Sequence, residues 1–132
     1  MKTIETKTDL GLLALRVLVA GLLIFHGIGN LLNGYAFIKS MMAQSGLPEF
    51  MAYGAFLGEI VAPVFMILGY KVRLASLLVA GTMLVAIFTT HLGDVFSLNQ
   101  FGGWAIELQA FYLFGALVVF LVGAGNYAIL AK

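Results

Sequence analysis

MAYGAFLGEIVAPVFMILGY, residues 51–70, runs through a single lysine into VRLASLLVAGTMLVAIFTTHL, residues 72–92. Each run matches the ~20 mostly apolar residues that a helix needs to cross a hydrocarbon layer about 30 Å thick. The join, Gly69-Tyr70-Lys71, is too short to lead back across a bilayer, so the two runs form antiparallel neighbouring helices. Residues 10–32 and 105–123 have the same apolar character. The four spans predict an all-α fold, a membrane-embedded antiparallel four-helix bundle forming a single domain over residues 1–132.

Composition supports lipid as the solvent. Of 132 residues, 62% are apolar and 10% charged, with a mean hydropathy of +1.06. A water-soluble domain carries roughly 25% charged residues, and the few charges here cannot cover a water-facing surface. A net charge of +1 without a basic run gives no nucleic-acid partner. Cysteine is absent, which excludes thiol exchange, disulfides and Cys-held iron–sulfur clusters by this chain. The charged residues Lys2, Glu5, Lys7 and Asp9 precede the first apolar run, which is too long for a signal peptide and reads as a retained span.

Orientation follows from Lys and Arg near the span ends. The N-terminus, second loop and C-terminus hold Lys2, Lys7, Lys71, Arg73 and Lys132, whereas the first and third loops hold only Lys39. Both termini are therefore expected inside, in a bacterial-type cytoplasmic membrane. In the first loop, Phe37, Ile38, Met41 and Met42 have the spacing of a short interfacial helix ended by Gly46 and Pro48; an irregular loop is the alternative. Phe96, Phe101 and Trp104 in the third loop suit an aromatic belt. The halves share Leu18-Val19-Ala20-Gly21 and Leu78-Val79-Ala80-Gly81, a match too easily reached by chance to establish duplication.

An ionisable side chain inside a span costs ~2.5–3.5 kcal/mol or more, so each one marks a candidate site. Glu59 lies mid-way along the second run, and Pro63, four residues on, has no N–H for its carbonyl. Ala52 and Ala55 share its face and leave space toward the outer side, while Gly54, Gly58 and Ala62 form a stripe for close helix approach. The carboxyl suits either a structural role inside the bundle or a proton relay. Arg16 can snorkel or turn inward; it is the best available cation for Glu59, although the Cβ directions of oppositely running helices disfavour a direct pair.

His26 with Asn30, His91, and Glu107 with Gln109 all fall at the outer level. They suit interfacial side chains satisfied by water, or a polar pocket for a small ligand such as a quinone. Their dispersed spacing, without HxxxH or ExxH, predicts no metal site. The candidate pocket is thus Arg16, His26, Glu59, His91 and Glu107, supported by Asn30, Pro63 and Gln109.

Several short pieces, in order, resemble the DoxX family of small four-helix membrane proteins. They are Leu15-Arg16, Phe25-His26-Gly27, Ser45-Gly46-Leu47-Pro48, Leu57-Gly58-Glu59, Ile67-Leu68-Gly69-Tyr70 with Arg73, Gly102-Gly103-Trp104 with Glu107, and Gly123-Ala124-Gly125-Asn126-Tyr127. The family often has Lys where this chain has Asn30, which removes a cation from the outer site. The resemblance implies a membrane subunit or anchor of a quinone-linked oxidoreductase system, with no covalently bound cofactor and a redox partner protein carrying the electrons. Two alternatives stay open: a proton-coupled or solute permease acting as a homo-oligomer with Glu59 at its centre, and a structural or assembly protein.

Overall fold

The computed structural model describes the backbone of residues 2–128 and the side chains of residues 6–128. Lys2 and Lys132, which enter the charge count above, lie outside the described side chains. The chain forms α1 (Lys2–Leu32), α2 (Ala36–Gln44), α3 (Glu49–Leu68), α4 (Val72–Thr90) and α5 (Glu107–Val122). Segments Thr6–Leu32, Glu49–Leu68 and Val72–Thr90 are each long and apolar enough to span a membrane.

The fourth helix is shorter than the predicted 105–123. Its 16 residues measure about 24 Å at ~1.5 Å per residue. Ala105 is held in the preceding loop by a bond from its N–H to the Ser97 carbonyl, and Asn99 and Gly103 close a turn inside that loop. At the other end Gly123 leaves the helix with φ 79°. In the first loop the interfacial helix forms as α2. Gly46, with φ 79°, turns the chain after it, and extended Pro48 starts the next element.

Helix α3 is not uniform. A 3₁₀ stretch, Glu49–Tyr53, leads through Gly54–Phe56 into a π turn, Leu57–Val61, before regular helix resumes at Ala62–Leu68. Pro63 accounts for the π turn. Its ring collides with the carbonyl four residues back, that of Glu59, and cannot bond to it. The helix widens upstream, so the Ala62 N–H reaches the carbonyl of Leu57, five residues back.

Glycines let the neighbours close on this wide turn. A Cβ on Gly58 would stand 1.8 Å from Thr82 Oγ1 of α4, and one on Gly27 of α1 would stand 2.6 Å from the Glu59 carbonyl oxygen. The helix pairs α1–α3 and α3–α4 therefore meet at the residue that carries the buried carboxyl.

The inner half of the bundle, toward the Lys71 turn, is solid. Val19, Ala20, Ala62, Met66, Val72, Ala75, Val79, Ala116 and Val119 are buried together there. Arg16 lies fully buried beside them. Its guanidinium donates from Nη1 to the carbonyls of Met66 (2.7 Å) and Ile67 (3.2 Å), and from Nη2 to that of Tyr127. Arg73 Nε likewise donates to Phe120, 3.0 Å away near the end of α5. Each arginine meets the unpaired carbonyls and partial negative charge of a helix C-terminus. The segment after α5 folds back over α1, where Asn126 donates to Asp9 from its main-chain N–H (3.2 Å) and its amide (2.8 Å).

Candidate functional site

The outer half of the bundle is hollow. A cavity of about 610 Å³ lies between the ends of α1 and α4 and the starts of α3 and α5, with α2 laid across it. Ligand pockets typically enclose ~300–1,000 Å³. Small residues on facing helices create the space: Ala52, Gly54 and Ala55 on α3, and Gly81 and Ala86 on α4. α2 presents Phe37, Ile38, Met41 and Met42 to it. Tyr35, Met42, Ala52 and Ala55 form a small second core that fixes α2 to α3, and Lys39 Nζ stands 4.6 Å from the Tyr53 ring centre.

Carboxyl, amide and imidazole groups enter this largely apolar space at two places. At the α1–α3 wall Glu59 is 6% exposed. The Asn30 amide donates to its Oε1 (3.1 Å) and Oε2 (3.3 Å). His26, one turn before Asn30, lines the same wall and stands edge-on to Tyr112, with centroids 5.8 Å apart and planes at 78°. At the outer end, Gln109 Nε2 donates to His91 Nε2 across 3.2 Å. His91 Nδ1 lies 3.3 Å from Asp94 Oδ2. With the amide so oriented, Nε2 accepts and Nδ1 carries the proton toward the carboxylate.

The structure thus brings His26, Asn30, Glu59, His91 and Gln109 around one cavity. It places Arg16 and Glu107 elsewhere. Arg16 sits in the solid inner half, and its bonds go to main-chain carbonyls, so Glu59 is met by Asn30 instead. The Cβ geometry of antiparallel helices explains the separation. Glu107 is exposed, receives a 3.4 Å bond from Asn99 and lies against Gly103, on the loop side of α5. Pro63 acts through the backbone of α3 and does not line the space.

Sequence reading missed Thr82, Tyr112 and Asp94. Tyr112 follows Gln109 by three residues and Asp94 follows His91 by three, spacings that put each pair on one side of a helical turn. Tyr35 was missed too. It is 4% exposed with φ 60°, and among the described residues its hydroxyl has no partner. Burial, and after it the nearby Glu59, raises the Tyr35 phenol above its ordinary range, so it remains a neutral O–H.

Apolar spanning helices, a bundle solid at one end and hollow at the other, and polar groups turned inward define a small multi-pass membrane protein. The chain belongs to the DoxX family, whose model matches residues 11–92. It is 29% identical over 105 residues to a Bacillus subtilis (strain 168) protein described as "Putative oxidoreductase CatD", covering 80% of this chain and 78% of that one. No solved structure matches it. The family match runs from Gly11 in α1 through α4, and therefore takes in every cavity residue except those of α5.

Proposed function

We propose that this protein is a membrane subunit of an oxidoreductase system, in a bacterial cytoplasmic membrane, that binds a quinone in the cavity beneath α2. The carrying observation is one apolar cavity with two separate polar groupings, Asn30–Glu59 beside His26 and Gln109–His91–Asp94. A quinone matches that pattern, being a flat apolar ring with polar oxygens on opposite edges. The likeness to the Bacillus subtilis protein described as "Putative oxidoreductase CatD" supports the redox setting.

A bound quinone would supply two-electron chemistry coupled to proton uptake. The protein's own residues would orient the ring and handle protons. Leu23, Met83 and Tyr112 line the cavity where it meets the core. A ligand oxygen that displaces the Gln109 amide would exchange a proton with His91 Nε2 while Asp94 holds the other ring nitrogen, which fixes the imidazole's tautomer. Glu59 offers a second proton-exchanging group, positioned by Asn30. Without cysteine the chain has no thiol to carry electrons, so in this reading a partner protein delivers or removes them.

The test is chemical. The protein is extracted in mild detergent, its lipids are removed into organic solvent, and quinone is quantified by mass spectrometry. Near-stoichiometric quinone, lost in a Glu59→Gln/His91→Ala variant that still folds, is the expected result. Quinone at background level, together with no binding of an added short-tailed quinone, would overturn the proposal.

A further inference from the structure

We infer that the cavity communicates with water at one membrane face only, past His91 and Asp94, and that Arg16 with the apolar layer around it seals the opposite face. This concerns the cavity used in the proposed function, but the sidedness does not depend on what occupies it.

The layering of the bundle carries the inference. Around the cavity, α1 contributes Leu23 to Asn30, α3 Met51 to Glu59 and α5 Leu108 to Tyr112, whereas the lining on α4 runs from Leu77 to His91 and reaches further toward the Lys71 turn. Below it α1, α3 and α5 supply the fully buried Val19, Met66 and Val119, and α4 continues the packed layer inward of Leu77 with the buried Val72 and Ala75. Leu23, Met83 and Tyr112 belong to both the cavity wall and the core, and so join the two.

Inward of this packed layer, at the end of α3, lies Arg16. It is 0% exposed, its hydrogen bonds go only to carbonyl groups, and its Nε has no partner among the described residues. A guanidinium cannot be deprotonated in a protein. A fixed cation in an apolar layer repels a second cation, as arginines do in pores that exclude protons. A proton from the inner face would meet this charge and then close-packed side chains.

The outer end differs. The His91 side chain is 28% exposed and that of Asp94 51%, so the hydrogen-bonded pair joins the cavity wall to open water. The titratable groups near this end are few. His26 and Glu59 line the cavity itself, Glu107 is turned to Asn99, Lys39 is drawn over Tyr53, and Glu49 is exposed at the start of α3 outside the cavity lining. Asp94 is the acidic group tied to the cavity wall, through its contact with His91. Protons taken up or released by a ligand in the cavity exchange with this face, opposite to that of Lys71 and Arg73.

The natural absence of cysteine makes the test direct. Single-cysteine chains are reconstituted in vesicles and treated with membrane-impermeant thiol reagents from either face. Lys71→Cys and Asn99→Cys report the two faces, and Gly81→Cys reports the cavity, since a Cβ at Gly81 meets nothing within 4 Å. Gly81→Cys is expected to react at least about tenfold faster from the face that labels Asn99→Cys. Equal rates from both faces, or faster reaction from the Lys71 face, would overturn the seal. In the same chain, a cationic reagent should outpace an anionic one of equal size, and Asp94→Asn should reduce that preference about threefold, in line with the loss of one partly exposed charge. An unchanged preference would remove Asp94 from the mouth. If a quinone is absent while the labelling is one-sided, the redox reading fails and this inference stands.

Discussion

Arg16 Nη1 and the main-chain carbonyl of Met66, fifty residues apart in sequence, are joined by a 2.7 Å hydrogen bond in a fully buried setting. With its bonds to Ile67 and Tyr127, the same guanidinium ties α1, the end of α3 and the segment after α5 into one knot. Removing it leaves helix-end carbonyls buried without partners, each costing about 1–3 kcal/mol. Arg16→Ala is thus expected to lower thermal stability in detergent sharply. Because Arg16 has no bond to Glu59, combining it with Glu59→Gln should give no rescue, and the two effects should add within about 0.5 kcal/mol. Recovery of the Arg16→Ala melting temperature by Glu59→Gln would restore the ion pair that the structure lacks.

The contact between Gly58 and Thr82 gives a second expectation. A methyl group at position 58 would fall 1.8 Å from Thr82 Oγ1 and 2.7 Å from its Cβ. Gly58→Ala should force α3 and α4 apart and destabilise the protein by about 1–3 kcal/mol, the usual cost of overpacking. Thr82→Ala in the same chain removes the nearest atom and should recover part of the loss. Unfolding curves of the four chains decide it.

Gly81 behaves oppositely. It lies inside α4 and faces the cavity, where an added side chain meets no neighbour. Gly81→Ala should stabilise α4 by about 0.5–1 kcal/mol through helix propensity alone. Gly81→Leu should fold as well yet fill the space, reducing retained quinone at least about tenfold. Normal retention in a folded Gly81→Leu protein would place the ligand outside this cavity.

Tyr35 carries a buried hydroxyl without a partner among the described residues. An unmet buried polar group costs about 1–3 kcal/mol. Tyr35→Phe keeps the ring that stands edge-on to Tyr53 at 5.7 Å, so it should leave the melting temperature unchanged or raise it. A clear fall would identify a hydrogen-bond partner for the hydroxyl, such as water or ligand in the outer half.

Much of this molecule is settled by residue order. Apolar run lengths decide that there are spans, because a bilayer accepts only stretches that satisfy their own backbone and present few charges. The short Gly69-Tyr70-Lys71 join decides that α3 and α4 are antiparallel, and Pro63 decides that the ladder breaks at Glu59. Heights in the membrane were legible too, which is why His26, Asn30, His91 and Gln109 could be grouped before any packing was known.

What order alone left open was azimuth: which way each helix turns and what it meets. Arg16 and Glu59 are both inward, but only packing shows that one belongs to the solid inner layer and the other to the hollow outer one. Glu107 shares a height with His91 yet turns toward Asn99, because α5 begins two residues beyond the predicted start, after a loop held by Ser97 and Ala105. Helical rotation changes a side chain's neighbours by about 100° per residue while barely moving its depth. Depth can therefore be read along a chain, whereas partners emerge only when the helices are set against one another.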